Sequence, residues 1–320
     1  MGGIVDFEVR LPRGRTSVHL MHQASGAPVE AIREITHTEE FPVLDETEQS
    51  WELAAEAARA LLGRTAARPA DIRQVIFAGS GEWDVPFWSP AARVAAELGI
   101  DDAHCFEVAN FCNAGTTAIR IALDRLAGQG GDGYTLVLVA DRLSRLVDLA
   151  DPGSKELFNF GDAAAAVLLS GREAVFEVLH TAVRTDPSWA DYYYGEQRDG
   201  RLVIRRGPHR PGLADAYVDN FTRLVEETLR AVGGKPDDVT HFLINQGDRR
   251  MHERLLRELG LPRDRSVFNY HRLGHMGGAD TLIALDGLRE RRALRQGDLI
   301  LLATSAMGFS WGVTALEYAR

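Results

Sequence analysis

Short apolar runs alternate along this chain with longer stretches in which apolar residues recur every three or four positions. Recurrence at that interval is typical of helices that bury one face, whereas fully apolar runs indicate strands buried on both faces. The apolar runs predict strands at 74–78, 135–139, 164–169, 241–244, 298–303 and 311–316. The periodic stretches predict helices at 48–62, 91–98, 116–126, 217–232, 249–259 and 280–292. Such alternation indicates an α/β protein with a largely parallel sheet and helices on its faces.

Two segments of the chain, 105–141 and 266–305, share one order of features. Each has a short apolar run, a Gly-containing turn, a helical stretch with Ala-Leu-Asp, a Gly-Asp turn and a β-rich apolar run. Self-similarity of this kind indicates a duplicated structural unit. We therefore expect two similar halves, residues 1–170 and 171–320, whose sheets pack through shared central helices in five layers, α-β-α-β-α.

The duplication places a thiol and an imidazole at equivalent loop-to-helix junctions. Cys112 precedes the Ala of its Ala-Leu-Asp by ten residues, and His275 precedes the corresponding Ala by nine. A thiol with an imidazole is the usual pairing of a nucleophile and its base. This pairing is the main functional hypothesis from the repeat.

Segment 189–212 departs from the alternation. It contains Trp189 and three consecutive tyrosines, including Tyr193, followed by a run rich in Arg, Gly and Pro. We interpret it as an insertion near a cleft, low in regular structure. Its aromatic residues either pack in the core or form a wall for a bound acceptor.

Composition narrows the classes of function. Apolar residues make up 45% of the 320 residues, charged residues 26%, and the net charge is −10, as in a globular protein with a sizeable core. The negative charge disfavours nucleic acid or an anionic membrane as a partner. Two cysteines make no disulfide framework, and no apolar run has transmembrane or signal-peptide length, so a cytoplasmic location is expected. The sequence has no metal-ligand cluster, P-loop or Rossmann fingerprint.

Four segments carry a resemblance to a known family: VPFWSPAARVAAELGI (85–100), FEVANFCNAGTTAI around Cys112, FGDAAAAVLL (160–169) and SAMGFSWGVTALEY (305–318). Jointly they resemble the ketosynthase III branch of the thiolase superfamily. The resemblance implies a thiolase-like duplicated fold, a reactive Cys112 and an acyl donor presented as a carrier-protein or coenzyme A thioester. It also implies a homodimer, with the strand at 135–139 as the joining edge, and no tightly bound cofactor.

The chain departs from the condensing members of that family at two positions. LINQGDRR puts Asn245 where they have a His, and LGHMGGAD puts His275 where they have an Asn. In those members the His-Asn pair stabilises the enolate left by decarboxylation of a malonyl group. A smaller subgroup has a relocated His followed five residues later by an Asp, the spacing of His275 and Asp280. Its members move acyl groups onto oxygen or nitrogen acceptors in natural-product pathways.

The catalytic interpretation of each residue stands beside a structural one. Cys112 is either a small buried hydrophobic residue or a thiol whose ionised form is favoured at a helix N-terminus. His275 is either a turn residue or the base that keeps Cys112 ionised and then deprotonates the acceptor. Asp280 is either a first-turn helix acid or the residue that orients the His275 tautomer. Five positions on a regular helix do not stack, so direct contact requires the loop to bend back.

The remaining candidates would surround this centre. Asn245 is either a turn residue at a strand end or a hydrogen-bond donor near the acyl oxygen. Met307 matches the family position whose backbone N–H completes the oxyanion site with that of Cys112, and Gly308 would allow close backbone approach. Arg249 lies either on a solvated face or opposite the phosphate of a pantetheine arm.

We therefore predict a thioester-dependent acyltransferase of secondary metabolism, in which Cys112 carries the acyl group and His275 activates a small-molecule alcohol or amine. The first alternative is a decarboxylative condensing enzyme of the β-ketoacyl synthase III type. The second is a catalytically silent partner subunit, which the presence of Cys112 disfavours.

Overall fold

The computed structural model describes residues 2–128 and 130–320. Its helices are α1 (Val18–Ser25), α2 (Val29–Thr36), α3 (Ser50–Arg64), α4 (Pro90–Glu97), α5 (Ala114–Gly128), α6 (Leu213–Val232), α7 (Arg249–Glu258) and α8 (Asp280–Glu290). Its strands are β1 (Gly3–Arg10), β2 (Arg15–Ser17), β3 (Glu40–Pro42), β4 (Ile72–Gly79), β5 (His104–Ala109), β6 (Tyr134–Arg142), β7 (Asp162–Ser170), β8 (Phe176–Thr185), β9 (Tyr193–Arg198), β10 (Arg201–Arg206), β11 (Val239–Ile244), β12 (Leu299–Ala306) and β13 (Ser310–Tyr318). Each of the twelve elements named from the sequence pattern is present within a few residues of its expected bounds.

The main sheet has nine strands in the order β11-β12-β13-β8-β1-β7-β6-β4-β5. One half of the chain contributes β5 to β1, and the other contributes β8 to β11; a short pairing of Gly3 and Ile4 with β8 joins them. Only β4 with β5, β4 with β6 and β11 with β12 run parallel among the paired strands of this sheet. The expectation of a largely parallel sheet was wrong, because the apolar strands β7 and β13 each enter antiparallel to their neighbours.

Three apolar clusters separate the layers. The central cluster contains residues of both α5 and α8 together with the facing side chains of both half-sheets. A second lies under α3 and α4, and a third under α6 and α7. A strand between two of these clusters is buried on both faces. In β6, for example, Val137 and Val139 face the central cluster, whereas Leu136 and Leu138 face α3 and α4. The arrangement is the expected α-β-α-β-α stack, and it explains why such strands are apolar throughout.

Strand β6 does not form an edge of the sheet. It lies between β4 and β7, and residues 135–139 are buried, so the argument that this strand needs a partner was wrong. The edge of this half-sheet is β5, the strand before Cys112, which is only half-buried. The homodimer stays a prediction, and so does the division at residue 170, which is the last residue of β7.

The segment 189–212 is more regular than expected. Most of it forms the antiparallel hairpin of β9 and β10. The carboxylate of Asp148 holds the hairpin, because its Oδ2 lies 2.7 Å from the Arg198 guanidinium and 2.9 Å from that of Arg205. The run rich in Arg therefore includes ion-pair partners of a buried carboxylate, whereas sequence alone assigned this run to an irregular loop.

Candidate active site

Cys112 lies on a one-turn 3₁₀ helix, Phe111–Asn113, between the end of β5 and the start of α5. The turn begins with Phe111 at φ +49°, a left-handed conformation that reverses the chain direction sharply. The thiol is therefore held at the N-terminus of α5, 7% exposed. Its Sγ lies 3.3 Å from Nε2 of His275, which is 163 positions away in the sequence. The two residues that the repeat paired are in contact.

The loop that carries His275 is fixed against the segment that precedes β7. The His275 N–H donates to the Asn159 carbonyl at 2.6 Å, and the Gly161 N–H donates to the His275 carbonyl at 3.0 Å. A Cβ on Gly274 would lie 2.1 Å from the Asn159 carbonyl oxygen, so only glycine allows this approach. The Phe160 ring meets the imidazole edge-on, with centroids 5.3 Å apart. The backbone thus sets the direction of the imidazole.

Asp280 contacts His275 directly. Its Oδ2 lies 2.5 Å from His275 Nδ1 and accepts the Gln246 N–H at 2.7 Å, while its Oδ1 accepts the Met276 N–H at 3.0 Å. The contact forms because the chain between the two residues is not helical throughout. A 3₁₀ turn starting with Gly277 at φ +60° bends the loop back before α8 begins at Asp280. The carboxylate fixes the tautomer with Nδ1 protonated, which directs Nε2 at Cys112.

The charges of this buried triad favour protonated His275. Burial lowers the pKa of His275, but Cys112 and Asp280 outweigh that effect and raise the pKa well above its ordinary value. Both neighbours act through hydrogen bonds as well as through electrostatic attraction. The two neighbours therefore favour the protonated form of the imidazole.

Asn245, at the end of β11, lines the cavity, but its amide is used by the backbone of β12. Its Nδ2 donates to the Ser305 carbonyl at 3.0 Å, and its Oδ1 accepts the Ser305 N–H at 3.2 Å. This pairing extends the parallel contact of β11 and β12 by one residue. Of the two interpretations given above, the structural one accounts for these bonds.

A cavity of about 560 Å³ opens above Cys112 and His275. Its lining includes the polar residues Asn159, Asn245 and Ser305 together with Met307, and an aromatic set of Tyr192, Tyr193, Tyr217 and Phe309. Gly308, at φ +73°, turns the chain between Met307 and Phe309. This positive φ favours glycine, whereas the expected close backbone approach is not seen: the nearest atom to a Cβ here would be Phe111 Cε2, at 3.6 Å.

Two of the residues assigned to substrate binding lie outside the cavity lining. Trp189 is buried behind the aromatic set, packed against Tyr192 and Phe309, with the Arg210 guanidinium 5.2 Å above its ring. Arg249, at the start of α7, pairs with Glu253 at 3.2 Å. Tyr193 does line the cavity, and its hydroxyl donates to Glu156 at 2.6 Å.

Sequence reasoning missed several residues that position this site. Asn159 and Gly161 hold His275, but their stretch was interpreted only as the entry to a strand. Gln246 was not singled out, because its contribution to Asp280 is a backbone N–H that any residue supplies. Tyr217 was placed on a helix, and only packing brings its ring to the cavity. The sequence feature that could have pointed to Asn159 and Gly161 is the Phe-Gly-Asp stretch at 160–162, which the resemblance had already marked.

Comparison with known proteins assigns the family. Residues 106–187 match 3-oxoacyl-(acyl-carrier-protein) synthase III, and residues 229–318 match the C-terminal part of the same enzymes. A β-ketoacyl-(acyl-carrier-protein) synthase III of Sphingopyxis alaskensis is 30% identical over 313 residues, which cover 96% of each chain. This chain belongs to the ketosynthase III family. It is thus an enzyme of acyl-transfer chemistry, as the Cys112–His275 contact suggests.

Solved structures agree with this ketosynthase III fold. The 3-oxoacyl-(acyl-carrier-protein) synthase III of Aquifex aeolicus superposes with a TM-score of 0.87 at 25% identity, covering 99% of this chain and all of that one. ChlB3, described as an acyltransferase, superposes at 0.84 with 22% identity, covering 100% of this chain and 98% of that one. At that identity the likeness to ChlB3 shows the fold alone. The thiolase-like fold class expected from the sequence is confirmed.

The described residues of this ketosynthase III contain no group of three or more His, Cys, Asp or Glu placed to hold a metal ion. None of their helices is both long and apolar enough to cross a membrane.

Proposed function

We propose that this protein is an acyltransferase that moves an acyl group from a carrier-protein or coenzyme A thioester, through acyl-Cys112, onto an alcohol or amine of a natural-product scaffold. The observation that carries the proposal is the buried chain Cys112–His275–Asp280, with contacts of 3.3 and 2.5 Å. Such a chain supplies a nucleophile and a base oriented by a carboxylate.

The first step is acyl loading. The Cys112 thiolate attacks the thioester carbonyl carbon, and the backbone N–H groups of Cys112 and Met307 stabilise the oxyanion. The bond between that carbon and the donor sulfur then breaks. The departing thiolate takes the proton from His275 Nε2 and leaves as a thiol. One thioester has replaced another, and His275 is left neutral.

The second step uses that neutral imidazole. His275 Nε2 removes the proton of the acceptor hydroxyl or amine as its oxygen or nitrogen attacks the acyl-Cys112 carbonyl. The carbon–sulfur bond breaks, and the thiolate and imidazolium are restored as a pair. Asp280 keeps Nδ1 protonated throughout, so Nε2 stays the reacting nitrogen. No additional base is needed for this sequence of steps.

The cavity supports an acceptor beside the donor arm. A volume of about 560 Å³ lies within the range of small-molecule sites. Tyr193 would contact the acceptor as part of the aromatic set, with Trp189 stiffening that set from behind. Arg249 would act outside the cavity, near the carrier, and a homodimer would form through the free edge of β5. The location in the cytoplasm and the absence of a tightly bound cofactor also belong to this proposal.

The second candidate is decarboxylative condensation. It is favoured by the relatives, which are named β-ketoacyl synthases. The residues at the two enolate-stabilising positions argue against it. Condensing members have a His and an Asn at these positions, whereas this chain has Asn245 and His275. The Asn245 amide is moreover paired with Ser305 on both its oxygen and its nitrogen. We therefore expect a malonyl group, if it is the donor, to be transferred intact.

The deciding experiment supplies carboxyl-labelled malonyl thioester to acyl-loaded enzyme and follows labelled carbon dioxide and products. Cys112→Ala serves as the blank for spontaneous decarboxylation. Retained label, with acyl or malonyl ester or amide products from a panel of alcohols and amines, supports the acyltransferase. Rapid release of label together with a β-ketoacyl product would establish the condensing enzyme instead.

A further inference from the structure

Asn113, the residue that follows the nucleophile, is fully buried and joins the two halves of the chain. Its Oδ1 accepts the Thr304 hydroxyl at 2.6 Å, and its Nδ2 donates to the Ser310 hydroxyl oxygen at 3.2 Å. Thr304 lies in β12 and Ser310 begins β13. One side chain from the Cys112 turn therefore holds both strands that flank the Met307–Phe309 turn.

The hydrogen bonds around this amide have one consistent direction. Thr304 donates to Asn113, so its oxygen accepts the Thr116 hydroxyl at 3.1 Å. Ser310 accepts from Asn113 and donates to Asn110 Oδ1 at 3.5 Å. A buried polar network in which each member has its partner fixes one arrangement of the elements that it joins.

The backbone of β13 is shaped for the same contact. A Cβ on Gly312 would lie 2.8 Å from Asn113 Oδ1, so a larger residue there would push the strand away from the amide. The turn between the two strands carries Gly308 and Phe309 at positive φ and presents Met307 to the cavity beside Cys112. The position of the Met307 N–H relative to the Cys112 N–H thus depends on this junction.

We propose that Asn113 is a positioning residue of the oxyanion site: it aligns the Met307–Phe309 turn of one half with the Cys112 turn of the other. This role rests on the proposed acylation of Cys112, because the attack of Cys112 on a thioester carbonyl places negative charge on the carbonyl oxygen. A misplacement of one donor by about 1 Å costs about 100-fold in rate, whereas loss of a donor costs about 10²- to 10³-fold.

The test compares two reactions at the same sulfur. Acylation by p-nitrophenyl acetate forms a tetrahedral oxyanion and releases nitrophenolate, whereas alkylation by iodoacetamide displaces iodide without an oxyanion. We expect Asn113→Ala to lower the acylation rate constant about 10- to 100-fold and to leave alkylation within about twofold. Thr304→Val, which removes the donor from the other half, should act in the same direction, and the double variant should be no slower than Asn113→Ala.

A matched control is Thr314→Val. Thr314 also lies in β13 and also makes a buried hydroxyl contact, 3.2 Å from Thr181 Oγ1, and this hydrogen bond does not involve the Cys112 turn. It should leave both reactions within about twofold. If Asn113→Ala does not fold, the acylation and alkylation rate constants of Thr304→Val are compared with those of Thr314→Val instead.

Equal losses in acylation and alkylation, or no loss in either, would overturn the positioning role. The proposed function fails in a different way. A wild-type protein that reacts with p-nitrophenyl acetate but with no carrier or coenzyme A thioester would sink the acyltransferase proposal and still test Asn113. If the wild-type protein reacts with neither kind of acyl donor but is alkylated at the normal rate, Cys112 has no functional oxyanion site. That result would also rule out the positioning role of Asn113.

Discussion

Nδ1 of His275 lies 2.5 Å from a carboxylate oxygen of Asp280, although the two residues are five positions apart and Asp280 begins a helix. Two backbone N–H groups, from Gln246 and Met276, also bind that carboxylate. Asp280 is therefore held independently of His275. A carboxylate held in this way orients the imidazole and stabilises its protonated form.

The first prediction concerns the nucleophile. One acyl group from an activated thioester should attach to Cys112, and Cys112→Ala should gain none, because the Cys112 sulfur faces His275. Cys105→Ala should be labelled like the wild type. Cys105 lies in β5, where burial and Glu107 raise the pKa of its thiol. Intact-protein mass spectrometry with peptide mapping measures this, and an acyl group found on Cys105 with Cys112 unmodified would contradict it.

The second prediction separates the two steps at His275. His275→Ala should slow transfer to the acceptor by about 10²- to 10⁴-fold, the usual contribution of a general base. Loading from a highly activated thioester should fall less, because its leaving group needs little protonation. Rapid-quench measurement of acyl-enzyme formation and decay gives both rate constants. A larger loss in loading than in transfer would show that His275 acts mainly on the donor.

The third prediction concerns pH. Asp280 raises the pKa of His275, so its removal must lower that pKa and make the neutral base available at lower pH. In Asp280→Asn the rising limb of the transfer step should therefore move to lower pH. The plateau should fall about tenfold, between wild type and His275→Ala, because an amide cannot accept all three hydrogen bonds. Single-turnover decay of acyl-enzyme across pH measures this; a limb displaced to higher pH would contradict the assignment.

The fourth prediction uses two tyrosines of the cavity. Burial raises the pKa of Tyr217 to about 12, with a further contribution from Cys112 and an opposing one from the Ser305 hydroxyl, so its phenol stays a donor at neutral pH. Tyr217→Phe should lower kcat/KM about 3- to 10-fold, the net effect of one hydrogen bond to substrate. Tyr193→Phe should change it less than twofold, since that hydroxyl is used by Glu156. Steady-state kinetics with one acyl thioester measures kcat/KM of both variants. Equal losses of kcat/KM in the two variants would contradict a hydrogen bond from Tyr217 to the substrate.

The fifth prediction concerns assembly. Strand β5 ends the sheet with unpaired backbone groups along one side, and Phe111 just beyond it is 41% exposed. We expect a homodimer at micromolar concentration, measured by sedimentation velocity. A monomer under those conditions would contradict the interface.

The element types were predictable because they depend on local patterns. Fully apolar runs such as 164–169 could only be buried strands or helix cores, and the turn residues around them decided for strands. The sequence pattern missed β1, β2, β3, β5, β8, β9 and β10. Three of them show the reason: β5 is half-buried on the sheet edge, β9 is largely polar, and β10 has only three apolar residues between arginines. Their strand state comes from pairing with neighbours, which a local pattern does not record.

By itself the sequence determined the duplication, the apolar layers and the equivalence of Cys112 and His275, because helix and strand periodicity and turn residues are properties of neighbouring positions. The tertiary structure decided the sheet order, which put β5 rather than β6 at the edge. It also decided that Asp280 reaches His275, that Asn245 is tied to Ser305, and that Asn113 bridges the halves. Each of these is a contact set by backbone direction and by packing across long separations in sequence, and residue spacing alone carries no information about either.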